Sequence, residues 1–174
     1  NDASGKEEKV LMKRWALLIF STVLAACASY DGRGLEPGVA TLDTVIQTMG
    51  PPAMQWQDTD GSVQLSYPRG PSSPESFMVW VDRAGKLQRI ENVLRPEVVA
   101  KIMPGMSKEQ VLRLIGPSIP GRTVYFKSRD ELVWEWRYQE DLGEYAHLSV
   151  LFDATKGTVR STIVTPDVKV SGPT

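Results

Sequence analysis

The chain carries one cysteine, Cys27, and one histidine, His147. Zinc sites of the common kind draw three or four ligands from cysteine and histidine, so two such residues do not furnish one. A single cysteine also leaves no internal disulfide to form. His147 lies in a segment, Tyr145 to Phe152, that alternates apolar and polar residues. As a strand it would turn Ala146, Leu148, Val150 and Phe152 to one face, and Tyr145, His147, Ser149 and Leu151 to the other. A lone strand histidine of this kind is ordinarily structural, and no catalytic residue is expected. Nor is there a Gly-rich phosphate loop, a nucleophile elbow or a carboxylate cluster with acid–base spacing. The 20 basic and 21 acidic side chains give a formal net charge of -1. That balance lacks the cationic excess that nucleic acid requires.

Other residues point to contacts rather than to chemistry. Trp134, Trp136 and Tyr138 alternate with Glu135 and Arg137. This stripe could be a ligand platform, but it reads better as the core face of a strand packed on a helix, and Trp56 and Trp80 read the same way. Two loops separate strand-like runs. One, residues 68–76, holds Arg69 among prolines; the other, residues 139–144, holds Glu140, Asp141 and Glu144. Loops on a rigid scaffold often bind partners. The candidate partner-binding residues are therefore Arg69, Glu140, Asp141 and Glu144, with Tyr145 and His147 on the adjoining exposed strand face. Solvated hairpin tips are the alternative reading of both loops.

The amino-terminal segment gives Cys27 a different role. From Met12 the sequence runs through Lys13 and Arg14, an apolar stretch from Trp15 to Leu24, and then Ala25-Ala26-Cys27. Cations, an apolar run and small residues make a secretory signal peptide. The run falls short of the roughly 20 residues a membrane-spanning helix needs. Leu24-Ala25-Ala26-Cys27 resembles the lipobox of bacterial lipoproteins. The resemblance implies a diacylglyceryl thioether on Cys27, cleavage before it, and acylation of the new amine. No other cofactor is implied. Two or more acyl chains anchor a protein stably. Ala28 follows the cysteine where aspartate would retain a lipoprotein at the inner membrane, so the resemblance implies the outer membrane.

A self-similar pattern organises the rest. Pro37-Gly38 and Pro104-Gly105 each precede a short helical pattern that ends in Gly-Pro, at Gly50-Pro51 and Gly116-Pro117. Leu42, Val45, Ile46 and Met49 fall on one helical face, as do Val111, Leu114 and Ile115. Ser107 and Gln110 make a capping box. Gly50 and Gly116 suit a left-handed helix end, and the following prolines forbid continuation. Strand patterns follow each helix: residues 54–58, 62–67, 77–81 and 87–94, then 122–127, 132–138, 145–152 and 159–164. Asp60-Gly61, the run from Asp82 to Gly85, and Lys156-Gly157 mark the turns. Residues 97–103 read as a further short helix. The expected fold is α+β: two tandem units, each a short helical segment followed by an antiparallel β-meander.

The stretch from Pro104 to Pro117, together with the lipobox and the strands that follow, resembles the BamE (SmpA/OmlA) family of outer-membrane lipoproteins. Val39 stands where the first copy would need the methionine found at Met106. Two such units in one chain are also similar to the fold of the β-lactamase inhibitory protein. The resemblance implies an outer-membrane lipoprotein. Its non-catalytic domain would face the periplasm and bind an envelope protein, in outer-membrane protein assembly or envelope maintenance. The inhibitor-like arrangement suggests the alternative, an inhibitor or sensor of a periplasmic enzyme. The expected organisation is an upstream extension and signal peptide (1–26) and a lipidated amino terminus with linker (27–36). A first unit (37–96), a second unit (97–166) and a tail (167–174) follow.

Overall fold

The computed structural model describes residues 31–70, 73–140 and 143–167. Helix α1 (Leu42–Met49) leads into strands β1 (Met54–Gln57), β2 (Val63–Pro68), β3 (Ser76–Val81) and β4 (Leu87–Asn92). A one-turn helix α2 (Pro96–Val99) leads to α3 (Lys108–Ile115). Strands β5 (Val124–Phe126), β6 (Glu131–Gln139), β7 (Tyr145–Asp153) and β8 (Thr158–Pro166) complete the chain. The strands form two four-stranded antiparallel sheets in the orders β1-β2-β3-β4 and β5-β6-β7-β8. The molecule is thus mixed helix and sheet, as the alternation of periods predicts.

Local chemistry explains each boundary. Thr41 caps α1, its Oγ1 accepting from Thr44 N at 3.2 Å. Ser107 caps α3 with the full reciprocal box, Ser107 Oγ accepting from Gln110 N and Gln110 Oε1 accepting from Ser107 N. These contacts satisfy amide groups that the first helical turn leaves unpaired. Both helices end on glycine, Gly50 at φ 84°, ψ -174° and Gly116 at φ 79°, ψ -174°. This is not the left-handed helical cap that the sequence suggests. It is an extended conformation with positive φ, a region essentially reserved for glycine, and it turns the chain sharply into the following proline. Aspartates hold the hairpin turns, Asp60 Oδ1 accepting from Ser62 N and Asp82 Oδ1 from Ala84 N and Lys86 N.

One backbone pattern brackets both helices. Gly38 N donates to Leu87 O, and Leu87 N donates to Ala40 O. Gly105 N likewise donates to Val159 O, and Val159 N donates to Met106 O. Bridges Thr41–Lys86 and Ser107–Thr158 stand beside them. Each last hairpin carries a register shift, at Trp80/Val81 and at Leu151/Phe152. Each helix is thereby fastened to the start of its last strand.

The cores differ more than the backbones do. Val45 and Met49 of α1 pack with Leu65, Tyr67, Val79 and Leu87 on one face of the first sheet. Val111 and Ile115 of α3 pack with Trp136, Leu148, Val150 and Phe152 of the second sheet. That second cluster also takes in Met78 of β3, with Trp56 and Trp80 half-buried against it. The first sheet is therefore covered on both faces, and α3 lies between the sheets. Burying a side chain the size of Val, Ile or Phe contributes roughly 1.5–3 kcal/mol, so this shared cluster binds the two halves into one body.

Several expectations need correction. The strand read at 122–127 shortens to β5, because Pro120–Arg122 and Lys127–Arg129 form 3-10 turns on either side of it. The helix read at 97–103 is the single turn α2. Trp56 and Trp80 do pack on a helix-bearing core, the cluster that holds Val111 and Ile115 of α3. Residues 31–36 fall in the expected linker, yet Leu35 packs on the first core and Gly32 is buried beside Ile90 and Met49. Cys27, the signal peptide, Asp141 and most of the tail lie outside the described residues.

Candidate functional site

The outer face of the second sheet gathers the ionisable side chains. Register sets Arg137 opposite His147 and Glu135 opposite Ser149, all pointing away from the core. The partners of β7 on β8, Thr165 and Ile163, continue this face. The alternation of β7 is as its sequence predicts: Ala146, Leu148, Val150 and Phe152 are buried, and Tyr145, His147, Ser149 and Leu151 are not.

His147 sits between two carboxylates. Its Nδ1 is 2.8 Å from Glu135 Oε1, and its Nε2 is 3.6 Å from Asp167 Oδ1. A proton on Nδ1 satisfies the shorter contact. Arg122, placed by the Pro120–Arg122 turn, pairs with Glu135 and lies 3.3 Å from Nδ1. Arg137 Nε donates to Asp167 Oδ2 at 2.9 Å, and its guanidinium lies 4.2 Å from the centre of the Tyr145 ring. The Arg137 hydrogen bond holds the Asp167 carboxyl below its ordinary range, against a smaller opposing effect of burial. The two guanidinium groups thus balance the two carboxylates, with the imidazole between them.

Both His147 nitrogens face carboxylates, which fix the orientation of the ring. Among the described residues no group of three or more histidine, cysteine, aspartate or glutamate residues could hold a metal ion. A groove of about 420 Å³ opens beside the network, lined by Arg137, Gly143, Glu144, Tyr145, Pro166 and Asp167. Exposed apolar groups continue the face: Val124 is 45% exposed, Ile163 49% and Tyr145 39%.

The structure brings three of the sequence candidates together here, Glu144, Tyr145 and His147. It separates the others. Arg69 pairs with Glu75 at 2.7 Å in the loop after β2. Glu140 Oε1 accepts from the hydroxyl of buried Tyr138 at 2.7 Å, so this loop carboxylate supports the fold. Sequence reasoning missed Arg122, Glu135, Arg137 and Asp167. Alternation in β6 placed Glu135 and Arg137 on the outer face, and that signal could have found them. Asp167 lay in the expected tail, and only strand pairing brings it to His147.

A second concavity lies at the junction of the halves. It has a volume of about 280 Å³ and is lined by Ser76, Leu94, Pro117, Ile119, Trp136 and Arg137, among others. Ser76 Oγ, and Ser66 Oγ nearby, are buried without a hydrogen-bond partner among the described residues. No helix among these residues is long and apolar enough to cross a membrane. No protein-family model, curated protein or solved structure matches the chain.

Proposed function

We propose that the chain is an exported lipoprotein of the outer membrane, held by acyl groups on Cys27, that presents the outer face of its second sheet to a protein partner. The observation that carries this reading is the state of that face. Arg122, Glu135, His147, Asp167 and Arg137 fix one another through ion pairs and close polar contacts, and Tyr145 stacks on Arg137. Arginine and tyrosine are enriched where proteins bind one another. Side chains already held in place lose less entropy on docking. The Glu144–Tyr145 end adds an open groove, and Val124 and Ile163 add exposed apolar area.

The folded part is read as two copies of one helix-plus-meander unit, residues 37–96 and 97–166. The matched hydrogen bonds at Leu87 and Val159, the matched bridges and the matched glycine ends support duplication. The second copy carries the motif similar to the BamE family, and by that resemblance the partner belongs to outer-membrane protein assembly. The role is binding, and the chain is read as no enzyme. The test is affinity capture from solubilised membranes with the wild-type chain and the Tyr145→Ala/Arg122→Ala variant. Loss of a partner with the variant, at unchanged melting, is expected. Recovery of a single soluble periplasmic enzyme would favour the inhibitor or sensor reading, and full retention by the variant would move the interface elsewhere.

A further inference from the structure

The last strand has an open side. β8 runs nine residues and, among the described strands, pairs only with β7. Its first turn is covered, since Val159 exchanges main-chain hydrogen bonds with Gly105 and Met106. From Ser161 to Pro166 every residue is exposed, and no main-chain hydrogen bond from another described segment reaches the open side. Edge strands are ordinarily guarded by charges, prolines, bulges or brevity. The segment Ser161–Thr165 has no charge and no proline, and four of its five residues are β-branched. The opposite edge of this sheet, β5, has only three residues.

Hydrogen-bond parity says which atoms this edge offers. Asp167 N donates to Tyr145 O at 2.8 Å, which makes these two a hydrogen-bonded pair. The register runs unbroken back to Leu151 and Ser161, so the pairs His147–Thr165 and Ser149–Ile163 are of the same kind. The main-chain groups of Thr162 and Val164 therefore point away from the sheet. They stand symmetrically about Ile163. The turn at Gly105–Met106 closes the open side before this stretch, and Pro166, lacking an N–H, closes it after.

We propose that two copies of the chain pair through this edge, β8 against β8, antiparallel about a two-fold axis at Ile163. Thr162 then exchanges both main-chain hydrogen bonds with Val164 of the partner subunit. Ile163 meets the partner's Ile163 in a non-hydrogen-bonded pair, where Cα atoms approach to about 4.5 Å and side chains touch. Ser161 faces Thr165 of the partner subunit. Each copy offers donors and acceptors in the order the other requires, so the edge is complementary to itself, as a two-fold contact demands. The result is one continuous eight-stranded sheet whose outer faces lie side by side.

Disulfide trapping in membranes containing the full chain tests this. Single variants Ile163→Cys, Ser161→Cys and Thr165→Cys are oxidised beside the wild type, which reports any link through Cys27. Ile163→Cys should yield a band of twice the chain's mass. The yield should be about tenfold above the other single variants, because cysteines whose Cα atoms lie beyond about 7 Å do not bridge. The double variant Ser161→Cys/Thr165→Cys should recover the dimer. Adding Thr162→Pro to Ile163→Cys should abolish the band while melting stays close to that of Ile163→Cys, since the lost N–H faces outward. Equal yields from the three single variants would overturn the proposal. So would a band of another mass at Ile163→Cys, or a dimer that survives Thr162→Pro.

Discussion

Gln64 Nε2 donates to the main-chain carbonyl of Arg113 at 2.6 Å, tying β2 of the first sheet to the last turn of α3. That carbonyl is among the last four of the helix, which have no partner within it. The Arg113 side chain completes the clamp, with Nη1 2.8 Å from Asp58 Oδ1 and the guanidinium 5.5 Å from the centre of the Trp56 ring. Gln64 is itself buried, so both groups would be stranded without each other. Gln64→Leu should lower stability by about 1–3 kcal/mol, the cost of one unsatisfied buried acceptor. Urea denaturation measures it, and a change under about 0.5 kcal/mol, a typical surface value, would show that the clamp is dispensable.

The two helix-ending glycines should respond unequally. Both hold the same positive-φ extended conformation, so alanine at either is strained by about 1–3 kcal/mol. A Cβ on Gly50 would meet nothing within 4 Å, whereas one on Gly116 would lie 2.8 Å from both Ser66 Oγ and Ser76 Oγ. Gly116→Ala should therefore cost about 1–3 kcal/mol more than Gly50→Ala, the usual penalty of overpacking. Parallel denaturation curves decide this, and equal losses would place α3 away from the first sheet.

This asymmetry marks the limit of what the sequence conveys. The capping box at Ser107, the Gly-Pro ends and the alternation of Tyr145–Phe152 are local signals, and they locate helices and strands to within a few residues. Gln64 and Ser66 alternate with Val63, Leu65 and Tyr67, a period that reads as one buried and one wet face. Both faces are in fact covered, because α3 arrives from forty residues downstream, and no periodicity in β2 encodes that arrival. The same holds at the candidate site. Tyr145 and His147 stand out by residue type, but Asp167 joins them only through the pairing of β7 with β8.

Acid should loosen the outer face through Asp167. Its carboxyl titrates below the ordinary aspartate value of about 3.9, chiefly because Arg137 hydrogen-bonds to the ionised form. A depressed carboxylate contributes stability that is complete above the unfolded value and is lost as pH falls through the folded one. Asp167→Asn should therefore flatten part of the decline in melting temperature below about pH 4, with little effect on its slope near neutrality. A variant that tracks the wild type at every acid pH would show that the Arg137 contact is not formed in solution.

The proposed anchor rests on sulfur chemistry. Cys27→Ser should leave an unprocessed precursor without fatty-acid label, because a hydroxyl is not the thioether acceptor. Metabolic labelling with an alkyne fatty acid reads this directly. Equal incorporation in both chains would remove the lipoprotein assignment.

The most direct test of the central claim puts a photo-crosslinking residue at Tyr145 on the outer face, and separately at Asp43, an exposed position on α1. Both chains are irradiated in intact cells that express the full-length protein. The account predicts a discrete adduct to one envelope protein from position 145 and none from position 43. The same adducts from both positions, or an adduct from position 43 alone, would contradict it.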